Sequence, residues 1–195
     1  LEHPDPLQLV EEEIRRRGYG GDVRFPMITY LAATSRVLRI QNGGMPVHLA
    51  LQGRPASGKS FTLQRVLDLL PDEAFHRIDA GSPRALIFDE ADLRHRAVIF
   101  SEADSIPKGK DAEDNPAASA IRNLLQDGEM GYSVVEKGED GKHRTREIRR
   151  PGPSVLITTT TKGLGEQLGS RLFTLEIPDG QDRLREILEA AAENE

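Results

Sequence analysis

Three groups of residues in this chain have the types and spacing to do chemistry. The first is Gly53-Arg54-Pro55-Ala56-Ser57-Gly58-Lys59-Ser60, which fits G-x-x-x-x-G-K-[ST], the phosphate-binding P-loop. Its glycines permit backbone angles that a Cβ resists, so successive N–H groups can turn inward around a phosphate. A helix that begins at the loop points its positive end at the same phosphate. Lys59 is then placed to reach the β- and γ-phosphates of ATP, and Ser60 to offer its hydroxyl to Mg²⁺. Phe61 completes the expected nucleotide-binding stretch.

The second group is acidic. A nucleotide-hydrolysing loop needs a neighbouring apolar strand that ends in acids, one for the Mg²⁺ shell and one to polarise the attacking water. Two passages compete for this role, Ala85-Leu86-Ile87-Phe88-Asp89-Glu90-Ala91-Asp92 and Ala97-Val98-Ile99-Phe100-Ser101-Glu102-Ala103-Asp104. The first follows Ser82-Pro83, a helix-start signature, so residues 83–92 read as a helix with surface acids. The second has Val98 and Ile99, which suit a buried strand, and enters from the basic Arg94-His95-Arg96. The second is preferred, with Glu102 as the acid for water and metal. Ser101 then stands where an aspartate is usual, and serine carries no charge. Downstream, Ser154-Val155-Leu156-Ile157 runs into Thr158-Thr159-Thr160-Thr161, a buried strand ending in hydroxyls. Threonine is also simply a good strand former.

The third group is basic. Tyr132 to Lys137 reads as a strand, Gly138-Glu139-Asp140-Gly141 as a turn, and residues 142–150 as a returning strand. That second arm carries Lys142, Arg144, Arg146, Arg149 and Arg150 against the single acid Glu147. Such a ribbon can grip the phosphate backbone of DNA. It can equally be an edge hairpin kept soluble by charge. Charge alone does not choose between these.

The elements that must position these groups follow from periodicity. Pro46 to Gln52 is a short apolar strand before the loop. Residues 61–70 form the helix after it, with Leu63, Val66, Leu67 and Leu70 on one face and Pro71 as the stop. Strand, loop, helix is the order a phosphate loop requires. Residues 5–17 and 27–39 read as helices that pack on the sheet, separated by Gly18-Tyr19-Gly20-Gly21-Asp22, and Arg15-Arg16-Arg17 reads as a solvated face. Further expectations are a strand at 74–78, a mobile loop at 106–118, a helix at 119–126, a short helix at 164–168, a last strand at 172–177 and an acidic closing helix at 181–193. The predicted fold is α/β, a mostly parallel sheet flanked by helices with a protruding hairpin. It divides into N-terminal helices over residues 1–45 and a core over 46–195, one structural domain in all.

Composition bounds the rest. The 195 residues include no cysteine, which excludes disulfides and thiolate metal sites and fits a cytoplasmic setting. A net charge of −6 argues against coating nucleic acid with the whole surface, while leaving room for a local basic element. No apolar run is long enough to span a bilayer, so no membrane partner is expected. Leu1 is not a start methionine, which reads as a piece cut from a longer protein.

Taken in order, P-loop, acid-ended strand, helix, hairpin, Thr-ended strand and Ser170-Arg171 before a final strand resemble the AAA+ ATPases that carry a hairpin before their sensor strand, of which the minichromosome maintenance helicases are one example. Closer still, the chain resembles the ATPase segment of bacterial and phage-like DNA primase/helicase-type proteins, over about residues 18–178. Tyr30 to Arg36, Ala56 to Ser60, Asp92 to Arg96, Glu102-Ala103, Gly152-Pro153 and Thr158 to Thr160 carry that likeness. The resemblance implies that Glu102 is the catalytic acid and that Thr160, or Thr159, takes the sensor position. It implies that Arg171 is inserted against the γ-phosphate of a neighbouring subunit in a homo-oligomeric ring, and that the hairpin faces DNA. The chain stops soon after the last strand, leaving little room for the helical lid of that family. The expected function is a DNA-linked, helicase-like ATPase in replication or a mobile element. A nucleotide-gated assembly module with little hydrolysis and a small-molecule kinase are the alternatives.

Overall fold

A computed structural model of the chain describes residues 4–38, 45–78, 91–101, 103, 116–137, 141–150, 152, 154–164 and 166–178. The expected strand–loop–helix unit forms, as β1 (Leu49–Gln52) and α3 (Lys59–Leu67). Four more strands, β2 (Phe75–Ile78), β3 (Ala97–Phe100), β6 (Val155–Thr160) and β7 (Phe173–Glu176), join β1 in one sheet of order β2-β3-β6-β1-β7. Every pairing in it is parallel.

A parallel sheet must be covered on both faces, and alternation along the strands provides for this. Leu49, Leu51, Ala97, Ile99, Val155 and Ile157 point to one face, where they join Ala32 and Ala33 of α2 (Arg24–Thr34) and Leu63 and Leu67 of α3. Ala50, Val98, Phe100 and Leu156 point to the other. There they pack on Ile121, Leu124 and Leu125 of α4 (Pro116–Asp127) and Leu168 of the short α5 (Glu166–Gly169). Among the described residues no helix is long and apolar enough to cross a membrane.

Element boundaries moved where local hydrogen bonding overrode periodicity. α1 spans Pro6–Arg16, capped by the Asp5 carboxylate, which accepts from the Leu7 and Gln8 amides. Of the arginines that close it, Arg15 and Arg16 are exposed as expected, while Arg17 is half-buried. Arg16 and Arg17 both donate to Glu13, at 2.6 Å each, and these bonds hold its carboxyl down to about 2. α2 begins at Arg24 rather than 27, because Asp22 accepts from the Arg24 amide and opens the first turn early. It gives way after Thr34 to a 3₁₀ turn over Ser35–Val37, where the Ser35 hydroxyl donates to the Ala32 carbonyl and accepts from the Val47 amide. β1 itself begins at Leu49, later than the apolar run that starts at Pro46. α4 starts at Pro116, not 119, with proline at the tolerated first position. Residues 106–115 of the expected loop, the competing passage 85–90 and the closing helix 181–193 lie outside the described residues.

The hairpin is β4 (Met130–Lys137) against β5 (His143–Arg150), a separate antiparallel pair. It is attached at its base. Asn123 of α4 donates to the Gly131 carbonyl at 3.1 Å. Gly152 lies so close to Gly128, which ends α4, that a Cβ on it would fall 1.5 Å from the Gly128 carbonyl oxygen. Only glycine fits there.

His48, just before β1, is 3% exposed, and its Nδ1 accepts from the Leu156 amide at 3.0 Å. Burial lowers its pKa from 6.5 to about 4, against an opposing pull from the Leu125 backbone. The unfolded chain therefore binds a proton below pH 6.5 that the folded chain refuses until about pH 4. Stability at neutral pH should fall as pH drops through that window, by up to about 3 kcal/mol from this residue. Urea unfolding at pH 7, 5.5 and 4.5 checks this. His48→Asn keeps an acceptor for Leu156, and should lower stability at pH 7 but remove this part of the slope.

Candidate functional site

The loop between β1 and α3 is anchored by the sheet. The Gly53 amide donates to the Thr160 carbonyl at 3.2 Å, and the Ile177 amide donates to the Gln52 carbonyl at 2.7 Å. The last residue of β1 is thus held from both neighbouring strands, and the loop leaves from a fixed point. A Cβ on Gly53 would lie 2.7 Å from Ser57 Oγ and 2.9 Å from the Ile177 carbonyl oxygen, so the loop closes tightly over its own first residue.

Ala56 has φ 62° and Gly58 φ 85°. A left-handed alanine costs of order 1 kcal/mol, and such strain gathers at ligand clamps. Alternation of right- and left-handed residues turns successive amides into one concavity. Gly58 is also the N-cap of α3, whose first amides face the same way, with no side chain capping them. Arg54, Pro55, Ala56 and Ser60 are exposed, and Ser57 is buried with its hydroxyl unpartnered. The Lys59 ammonium folds back over the loop and donates to the Gly53 carbonyl at 2.7 Å and the Arg54 carbonyl at 2.6 Å. An anion set on these amides would meet a fixed positive charge at their rim.

Strand order decides what lies beside the loop. β6 sits between β1 and β3, with Gln52 opposite Thr160 and Phe100 opposite Thr158. The Thr158 hydroxyl donates to the Phe100 carbonyl at 2.6 Å, and the Thr159 hydroxyl donates to the Ser101 carbonyl. These two threonines fasten the end of β3, so their donors are spent on backbone. Thr160 is 2% exposed and is the one whose carbonyl meets the loop. Ser101 follows β3 directly, two strand spacings or about 10 Å from β1. The first four residues of the preferred passage, Ala97 to Phe100, form a fully buried strand inside the sheet, while Glu102 itself lies outside the described residues. Asp92 is committed to Arg94, whose side-chain bond holds its carboxyl down to about 2.

Among the described residues no group of three or more His, Asp or Glu side chains could hold a metal. Ser60, at the start of α3, is an oxygen donor that suits a hard cation arriving with phosphates and keeping most of its waters.

Two predicted groups lie elsewhere. Arg171 is exposed in the turn before β7. β7 runs parallel to β1, so about 13 Å of strand separates Phe173 from Ile177 at the loop end, and Arg171 lies farther still. It cannot serve the loop of its own chain. The basic residues of the ribbon divide by parity. Arg144 and Arg146 fall on one face, while Arg149 falls on the other and pairs with Glu147 at 3.0 Å.

Sequence reasoning missed a contact behind the loop. Tyr19, taken only as part of a helix break, is 2% exposed; its hydroxyl shares a hydrogen bond with Thr62 Oγ1 at 3.1 Å, and its ring stacks on Phe61. An aromatic residue inside a glycine run was the available signal. No family model matches the chain, and no curated protein matches it significantly.

The tight closure makes a prediction. Gly53→Ala should destabilise the chain by about 1–3 kcal/mol, through the clash with Ser57 and Ile177. Adding Ser57→Ala, which removes one clashing atom, should return part of that loss. Paired thermal melts measure both.

Proposed function

We propose that this chain is an ATP-binding domain of the P-loop NTPase class, AAA+-like, that hydrolyses ATP in a DNA-linked, helicase-like role in a cytoplasmic setting. One observation carries the reading. The motif residues Gly53 to Ser60 form a strained, anchored loop with left-handed Ala56 and Gly58, leading directly into a helix. The loop amides and the α3 terminus would bind the phosphates, and Lys59 would exchange its two loop carbonyls for phosphate oxygens. Ser60 would hold Mg²⁺, which when bound neutralises charge on the phosphates.

In the reaction, water attacks the γ-phosphorus in line, a new P–O bond forms, and the bond to the β-phosphate oxygen breaks to leave ADP. Glu102 would orient the water and accept its proton, with Thr160 beside it at the end of β6. Arg171, lying away from its own loop, is suited to act on a neighbouring copy in a homo-oligomeric ring. The ribbon face with Arg144 and Arg146 would contact DNA.

A second reading, nucleotide-gated assembly with little turnover, is favoured by Ser101 at the end of β3, where no carboxylate stands to hold the metal shell.

Lys59→Ala should weaken ATP binding at least about tenfold, as loss of a charge-assisted contact implies. Calorimetric titration with a non-hydrolysed ATP analogue reads it; unchanged affinity would falsify the nucleotide site. Turnover with and without single-stranded DNA, in wild type and Glu102→Gln, separates motor from switch. DNA-stimulated turnover lost in Glu102→Gln supports the motor, and tight binding without turnover supports the switch. Neutralising Arg144 and Arg146 together should weaken DNA binding and reduce the salt slope by about two, whereas Arg149→Gln should change it little.

A further inference from the structure

We infer that Tyr19 is a positioning residue for the phosphate loop, and that the α1–α2 connection is part of the nucleotide apparatus rather than packing alone; this rests on the nucleotide reading above. Three contacts join the connection to the first turns of α3. The Tyr19 hydroxyl meets Thr62 Oγ1 at 3.1 Å, with Tyr19 2% and Thr62 0% exposed. The Tyr19 ring lies 5.8 Å from the Phe61 ring at an interplanar angle of 11°. Arg65 places its guanidinium 5.0 Å from the centre of the same Phe61 ring, and donates to the Arg17 carbonyl at 3.1 Å.

Their targets are the residues that continue the motif. Phe61 and Thr62 follow Lys59-Ser60 directly, and the Thr62 amide makes the first bond of the helix, to the Gly58 carbonyl at 2.8 Å. Gly58 is one of the two left-handed residues that aim the loop amides. Thr62 is therefore held by its backbone to the loop and by its side chain to Tyr19. The orientation of the amides that would meet a phosphate is thus fixed from behind, by a residue in the connection between α1 and α2. Because Tyr19 is buried and its hydroxyl is engaged, it acts through Thr62 and not on the ligand.

The two roles of such a bond, holding the fold and aiming the loop, separate in a double-mutant comparison. Tyr19→Phe leaves a buried Thr62 hydroxyl without its partner, and should lower both the melting temperature and the affinity for a non-hydrolysed ATP analogue, the latter about 3- to 10-fold. Tyr19→Phe with Thr62→Val removes both polar partners, so stability should recover toward wild type. Affinity should stay weakened, because the tether is still absent. If affinity recovers together with stability, or never falls, the positioning role is overturned and the contact is packing alone. If the wild-type chain does not bind the analogue, both this inference and the nucleotide reading fail. Binding by wild type with no loss in Tyr19→Phe overturns this one only.

Discussion

The structure depends on one constraint, that a parallel sheet has to be buried from both sides. Three of the five strands, β1, β3 and β6, are buried almost throughout, and their apolar side chains alternate between two clusters, one under α2 and α3 and the other under α4 and α5. Since neither face can be left to water, the crossovers carry helices to both sides, α3 to one and α4 and α5 to the other. The loop after β1 gains its rigidity from this arrangement. Gly53 is hydrogen-bonded to the end of β6, and Gln52 to the chain leaving β7, so the loop starts from backbone held on both sides.

Sequence patterns revealed those features whose causes are local. The glycine–lysine spacing, the Val98-Ile99 strand and the Val155 to Ile157 strand could all be read because their physics is contained in a few neighbouring residues. What escaped was set by distant partners. Nothing near Tyr19 announces that Thr62, 43 positions away, completes its hydrogen bond. Nothing near Thr159 announces that its hydroxyl is spent on Ser101. The basic arm of the hairpin was legible as a charge count. Which charges share a face follows from strand parity, and parity sets Arg149 beside Glu147 and apart from Arg144 and Arg146. Helix starts shifted for a similar reason, since Asp22 and Pro116 act outside the hydrophobic repeat.

Polar contacts in this fold differ in consequence more than in number. The ion pairs of α1 are solvated and screened, and contacts of that kind are worth little. The buried Tyr19–Thr62 bond and the hydroxyl bonds of Thr158 and Thr159 sit where water cannot replace a missing partner, so each fixes the relative position of two elements. Both sets of contacts converge on the same end of the sheet. One holds α3 from behind, and the other ties β3 to β6.

The attachment of the hairpin to α4 gives it a mechanical character. Its eight-residue arms reach about 27 Å, and at its root β4 lies against α4, tied there by the Asn123 bond and the glycine-on-glycine contact. A stiff beam clamped at one end converts rotation into travel. Turning α4 by five degrees would sweep the far tip through about 2 Å at that length. The Gly128–Gly152 contact has no side chain to absorb such a motion, so it would serve as a fulcrum, and the ribbon would amplify a small adjustment of α4 against the sheet.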